Sequence, residues 1–285
     1  MTRLAEIQGH MDSMNELLDI VTAMRSLAGM RVQEAQRALP GVRGYAQSMA
    51  RAIGDALLLM DRPELPMASG PKALVLCMAE HGFVGGFNER LFDAAKAALE
   101  PGDQLFIVGS RGAALALEHG HEADWVHPMA TRLGGATETV NSLTSELYNR
   151  IARGEISRLE VMFSRYHQGE TAAIECHLLL PLDVASMAPE QPGQPPLHNL
   201  PPRALLEKLI AEYVVARLTE AAIESISSEN AARFSAMESA RDNVTKKLAH
   251  LQQSARQARQ SEITAELLDL VTGAEALAGQ NGLSF

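Results

Sequence analysis

Leu4, Ile7, Met11, Met14, Leu18, Val21, Arg25, Ala28, Val32, Ala35 and Leu39 recur at alternating intervals of three and four residues. A second ladder of the same spacing, Phe234, Met237, Arg241, Val244, Leu248, Leu251, Ala255 and Ala258, lies near the other end of the chain. Only a 3.5-residue repeat keeps one narrow stripe facing a partner over this length, so the two ladders predict two long helices wound together as an antiparallel coiled coil. Each ladder carries a single arginine as its exception. The competing reading is two separate amphipathic helices lying on a globular core, but such helices rarely hold so narrow a seam beyond about three heptads.

A chain of 285 residues is too long for a bare coiled coil and long enough for a hydrophobic core beside it. Hydrophobic content of 46% excludes a disordered chain, while aromatic content of only 4% and abundant alanine suit close helix packing better than a broad core. A net charge of −10, with no concentrated basic face, argues against nucleic-acid binding. Cys77 and Cys176 both fall in strand-like apolar runs and read as buried free thiols of a reducing compartment. The opening Met-Thr-Arg-Leu-Ala-Glu leads directly into the ladder without the features of a signal peptide, and no run of about 18 apolar residues exists. The expectation is therefore no direct membrane insertion, with any membrane role passing through a partner.

The first helix is expected from Arg3 toward Leu58, with a kink or short break at Pro40-Gly41, and Pro63, Pro66 and Pro71 end the segment. From Lys72 the period changes. Runs at 73–78, 105–109, 159–163 and 172–180 read as strands, and stretches at 89–99, 113–118 and 137–152 as helices. This alternation implies a Rossmann-like α/β domain with a largely parallel sheet, inserted between the ladders. The chain thus divides into an N-terminal coiled-coil helix (1–60), an α/β foot domain (72–185), a proline-rich linker (186–202) and a C-terminal shaft helix (203–278). The last of these has no internal proline, meets Gly273 only late, and at 1.5 Å per residue would run on the order of 110 Å. Beyond Ala258 its seam changes register to Ile263, Leu267, Leu270, Ala274 and Leu277, further than an antiparallel first helix can reach. An apolar stripe without an intrachain partner is an interaction surface.

Several strings carry a family resemblance. Ser228-Glu229-Asn230-Ala231-Ala232-Arg233-Phe234-Ser235-Ala236-Met237, followed by Arg241-Asp242-Asn243, resembles the C-terminal signature of the gamma subunits of F-type ATP synthases. The segments 258–267 and 271–274 are similar to that family's terminal helix. So are Ile20-Val21-Thr22-Ala23-Met24, His81-Gly82-Phe83-Val84-Gly85-Gly86-Phe87-Asn88 and Val108-Gly109-Ser110-Arg111-Gly112, in the family's order and spacing.

The resemblance implies a central rotor shaft with no cofactor and no catalytic residue of its own. Its implied partners are the alpha and beta subunits of a catalytic ring, an epsilon subunit and a membrane c-ring, with the complex peripheral on the cytoplasmic side of a cell inner membrane. By the same resemblance Arg259, Gln260, Thr264 and Glu266 would hold a beta-subunit loop, Met24, Ile263, Leu267 and Leu270 would form the shaft bearing, and Tyr213 would touch the ring from the foot. Arginine suits the first role because its planar fork grips a carboxylate in two places.

The sequence also departs from the family pattern. Asp19 and Arg25 flank Ala23-Met24 where lysines are usual, and Arg31-Val32 replaces a Lys-Met step. The first 60 residues hold six acids and six bases, and the segment from Arg203 eleven acids against nine bases, where the family's shaft is often basic. These departures suggest a divergent paralogue from an alternative operon.

Residue chemistry offers little else. The loop Gly82-Phe83-Val84-Gly85-Gly86-Phe87 sits where phosphate loops sit but lacks dinucleotide spacing and a Walker lysine, so it reads as a packing turn. His119, His121 and His127 lack the further ligands of a metal set and read as surface histidines, while Met11, Met14, Met24 and Met30 read as packing residues. A nucleotide-dependent enzyme built on the α/β domain, and a coiled-coil scaffold outside any ATPase, stand as the other readings.

Overall fold

A computed structural model describes residues 3–60, 70–167, 172–183, 187 and 197–281, the side chains of 273–281 excepted. The element order is α1 (Arg3–Leu57), β1 (Lys72–Cys77), α2 (Phe87–Ala98), β2 (Gln104–Val108), α3 (Ser110–Glu118), β3 (Trp125–His127), a 3-10 turn (Leu133–Gly135), α4 (Ala136–Ala152), β4 (Arg158–Arg165), β5 (Ala173–Leu180) and α5 (Pro202–Asn281). Pro63, Pro66 and most of the expected linker lie outside the described residues, as do the side chains of Ala274 and Leu277. The chain forms two compact units, one of residues 27–236 and one that joins residues 1–26 to 237–285.

In the larger unit the sheet order is β3-β2-β1-β4-β5, parallel except for the antiparallel edge pair β4 and β5. Strands β1 and β2 are apolar without alternation because both faces are covered, as parallel sheets require. On one face Val75, Phe106, Val161 and Phe163 meet α1 through Leu39, α4 through Val140 and Leu143, and α5 through Leu218 and Ala222. On the other, Leu74, Leu76 and Ile107 meet Leu91, Phe92 and Ala95 of α2 and Ala116 of α3. Gly112 is required where α3 crosses β1, since a Cβ there would stand 2.2 Å from that of Met78.

Helix α1 runs unbroken through Pro40, against the expected kink or break. An interior proline costs about 3 kcal/mol. Fully burying one leucine-sized side chain returns about 1.5–3 kcal/mol. Leu39, Ala35, Ala46 and Ile53 are all buried on the same helix, so continuity across Pro40 is the favoured outcome. Two packing expectations also fail. Met30 is 57% exposed, outside the seam, and Cys176 is exposed because its strand is the sheet's edge, whereas the Cys77 thiol is buried and pushed up to about 12. Strand β3 escaped the sequence reading altogether, being three residues of mixed exposure, too short for any periodicity.

In the smaller unit every ladder position from Leu4 to Arg25 is buried or half-buried, with Val21, Met237, Val244 and Leu248 buried. The two arginine exceptions prove to be one feature. Arg25 pairs with Glu238, and Arg241 Nη1 lies 3.5 Å from the same carboxylate. Arg3 and Leu4 flank a groove of about 450 Å³ with Ser254, Ala258 and Glu262. Residue 25 opposite 238 and residues 3–4 opposite 254–262 define an antiparallel pair.

Candidate functional site

Among the described residues the antiparallel pairing leaves α5 without a partner just past Glu262. Ile263 is 50%, Leu267 57% and Leu270 70% exposed, and Leu268 and Val271 are exposed beside them. Arg259, Gln260, Thr264 and Glu266 are likewise exposed. Thr264 Oγ1 donates to the Gln260 carbonyl at 2.8 Å, and no ion pair holds Arg259 or Glu266 among the described residues. The four polar residues expected to act together thus share one stretch of helix with the apolar stripe. Met24, expected in the same bearing, is half-buried on α1, and Tyr213 is half-buried in the larger unit against Ile53 and Leu206.

The signature stretch 228–233 has a different fate. It is a joint, buried with its polar side chains satisfied. Ser225 Oγ donates to the Cys77 carbonyl and Ser228 Oγ to the Ser164 carbonyl, both at 2.6 Å, which lays α5 over the carboxyl ends of β1 and β4. Gln36 of α1 donates to Ser227 Oγ at 2.9 Å on the same helix. Arg233 donates to Glu229 Oε1 at 2.5 Å and Asn230 Oδ1 at 3.1 Å and reaches the carbonyls of His81 and Gly82. Burial pushes the Glu229 carboxyl up, and Arg233 opposes that push. The glycine-rich loop below is a packing turn, as its sequence suggested: Val84 and Phe87 are buried against Ala79 and Ala232.

This joint bears on nucleotide chemistry. In open α/β sheets a ligand binds at the carboxyl ends of the strands where the winding direction reverses, here between β1 and β4. That crevice is filled by Ser225 and Ser228 of the chain's own helix. The start of α3, where a helix N-terminus would receive a phosphate, is also taken. The Glu80 carboxylate accepts from Ser110 N at 2.9 Å, Ser110 Oγ at 2.8 Å and Met129 N at 2.8 Å. His119 and His121 pack on the Phe92 ring and His127 stacks on Trp125. Among the described residues no cluster of three His, Cys, Asp or Glu could hold a metal ion.

Beside the sheet edge lies a cleft of about 430 Å³ that sequence reasoning missed, lined by Arg43, Tyr213, Arg165, His177, Arg217 and Glu220. Glu220 and Glu224 are four apart on α5 and almost wholly buried, a hint of buried partners, but nothing in the spacing says that those partners come from α1 and β4.

These features define a class: a helix-pair protein with an uncovered apolar end and an α/β domain whose ligand crevice is closed by its own long helix. The model of the ATP synthase family matches residues 3–277. The chain is 30% identical to the ATP synthase gamma chain of Streptomyces coelicolor over 92% of each chain, and 28% identical to that of Thermobifida fusca over 93% of each. The fold is also that of a chain in the cryo-EM structure of the Euglena gracilis mitochondrial ATP synthase (OSCP/F1/c-ring), with a TM-score of 0.66 at 14% identity, covering 99% of this chain and 97% of that one. The protein belongs to the ATP synthase gamma-chain family. Membership carries the central-stalk role in a rotary ATP synthase and makes the chain a component of a membrane-bound complex. No helix among the described residues is long and apolar enough to cross a membrane.

Proposed function

We propose that this chain is the rotor itself, catalytically inert alone, and that the end of α5 seats in a ring of alternating alpha and beta subunits. The single observation that carries this reading is the uncovered stripe Ile263, Leu267, Leu268, Leu270 and Val271 on a helix whose preceding seam is buried or half-buried. A contiguous exposed apolar stripe marks an interaction surface. Arg259, Gln260, Thr264 and Glu266, exposed on the same stretch, supply polar contacts to a beta-subunit loop. Met24 belongs to the bearing, the foot (72–185) faces the epsilon subunit and the c-ring, and Tyr213 of α5 contacts the ring at that end. Turning an asymmetric shaft would put each catalytic interface in a different conformation in turn, which is coupling by rigid-body motion. The near balance of acids and bases along the shaft supports a divergent paralogue.

Co-purification tests the proposal. The tagged chain should bring down alpha and beta subunits, and the homogeneous chain alone should hydrolyse no nucleotide. Absence of those subunits would overturn the rotor reading, and turnover by the isolated chain would overturn its inertness.

A further inference from the structure

Seven ionisable side chains from four elements meet at the cleft on the sheet's β5 edge. Arg43 of α1 donates from Nε to Glu220 Oε1 at 3.2 Å and pairs through Nη2 with Glu224. Arg165, at the end of β4, reaches Glu175 Oε1 at 2.9 Å, Glu224 Oε1 at 3.2 Å and Glu220 Oε1 at 3.5 Å. Arg217 of α5 donates to Glu220 Oε2 at 2.5 Å and to His177 Nδ1 at 2.6 Å. His177 closes the circuit, its Nε2 lying 2.8 Å from Glu175 Oε2 on β5. Three arginines face three glutamates, so the circuit is neutral with His177 neutral. The Phe163 ring packs beneath it, edge-on to His177 and 5.7 Å from the Arg165 guanidinium.

The surrounding contacts differ in kind. Ser225 and Ser228 tie α5 alone to the sheet through hydroxyl bonds, while Leu39 on α1, and Leu218, Ala221 and Ala222 on α5, meet the sheet through aliphatic and small side chains. Apolar burial is non-directional and resists separation more than it selects one angle. Forked charge-assisted bonds have fixed geometry, and a buried charge network contributes specificity of arrangement more than net stability.

We propose that this circuit is a torque clamp: Arg43, Arg165, Arg217, Glu175, His177, Glu220 and Glu224 are positioning residues that fix the angular register of α1 and α5 against the sheet. The proposal rests on the rotor reading. Under load the helix pair and the α/β domain must turn as one body, and the clamp ties both helices to β4 and β5 at once. Loss of the clamp leaves the parts associated but lets the register slip, so ATP is hydrolysed with fewer ions moved.

The test uses the assembled complex and three measurements: ATP hydrolysis, ATP-driven ion pumping, and thermal melting of the full chain. In the quadruple variant Arg43→Met, Arg165→Met, Glu175→Leu and Glu224→Leu, apolar groups replace two charges of each sign and Arg217 keeps Glu220, which can preserve stability. Expected are near-normal melting, at least half the hydrolysis rate, and ions pumped per ATP reduced threefold or more. Glu175→Gln, which keeps its shape and loses one charge, should lower that ratio by a smaller factor, about 1.5-fold. A wild-type ratio in the folded quadruple variant, or in Glu175→Gln should the quadruple variant not fold, would overturn the clamp. Pumping by a complex lacking this chain would instead overturn the rotor reading on which it rests.

Discussion

Two stretches of the same helix, 220–230 and 259–271 of α5, are opposite in every respect that composition would lead one to expect. The first is rich in Ser, Glu and Asn and is wholly buried, while the second carries Ile263, Leu267, Leu268, Leu270 and Val271 into solvent. Burial here follows the partners a segment finds, and hydropathy alone does not assign it. The polar stretch is buried because its side chains find partners, such as Ser225 on the Cys77 carbonyl, Ser228 on the Ser164 carbonyl and Glu229 with Arg233, although among the described residues Glu224 Oε2 is left without a hydrogen bond. The apolar stretch is exposed because the described part of α1, which lies with Arg3 and Leu4 beside Ala258 and Glu262, does not cover it. The first is therefore a joint within the chain, and the second a surface for other chains.

The sharpest way to break this contrast is at the joint. Arg233→Ala leaves Glu229, 5% exposed, as an unpaired buried charge, and removing one partner of such a pair costs about 3–5 kcal/mol. Denaturant unfolding of the full chain should show a loss of that size. A change below about 1 kcal/mol would mean that the signature motif is not a joint.

Next comes the helix that links joint to surface. Leu248 is buried in the seam of the smaller unit, and Leu248→Pro should cost about 3 kcal/mol locally. Circular dichroism should retain the α/β signal while ATP-driven pumping by the complex is abolished. A shaft that still pumped would contradict the requirement for a continuous helix there. Pro40 gives the counter-example that calibrates this expectation: it is tolerated because Ala35, Leu39 and Ala46 around it are buried, whereas a new proline at 248 also removes the buried side chain.

A smaller effect is expected from pH. Burial, then Arg217, lowers the His177 pKa from 6.5, against the pull of Glu175. Arg217 can only donate, so Nδ1 accepts and Nε2–H donates to Glu175, which is the neutral imidazole. The unfolded chain therefore binds a proton that the folded chain resists. Stability is retained above the unfolded pKa of about 6.5 and is lost as pH falls through the folded value. Urea midpoints at pH 7.5 and 5.5 should differ less in His177→Gln than in the wild type, and equal differences would remove His177 from the acid response.

The fold was legible where periodicity is long. Both ladders and the helices follow from spacing, because repeated burial on one face leaves a repeated pattern, while β1, β2 and β4 follow from short continuous apolar runs, the mark of strands buried on both faces. The unpartnered end was legible too, from the register change past Ala258 and the length of the first ladder. The circuit around Arg165 was not, because Arg165 meets Glu220 and Glu224 more than 50 positions away and Arg43 meets the same pair more than 170 positions away, and such separations leave no local trace. Nor was the filled crevice, since Ser225 and Ser228 act through hydroxyls on carbonyls that every residue carries.

At the uncovered end the contrast predicts almost nothing for stability and a great deal for assembly. Arg259 and Gln260 are exposed, and Arg259 forms no ion pair among the described residues. Replacing both by Ala should change the melting of the isolated chain by less than about 0.5 kcal/mol, as is usual for exposed helix positions, and alanine keeps helix propensity high. If these side chains hold a beta-subunit loop, the same double variant should weaken coupled synthesis or retention of the subunit in the complex. Truncation after Ser261 removes the exposed stripe but leaves the seam from Met237 to Ala258 in place, so its effect on seating should be milder than losing the seam. Subunit retention and pumping, measured beside melting, separate the two contributions. Normal pumping by the double Ala variant would show that Arg259 and Gln260 are solvated helix-face residues, and would leave the apolar stripe as the whole of the docking surface.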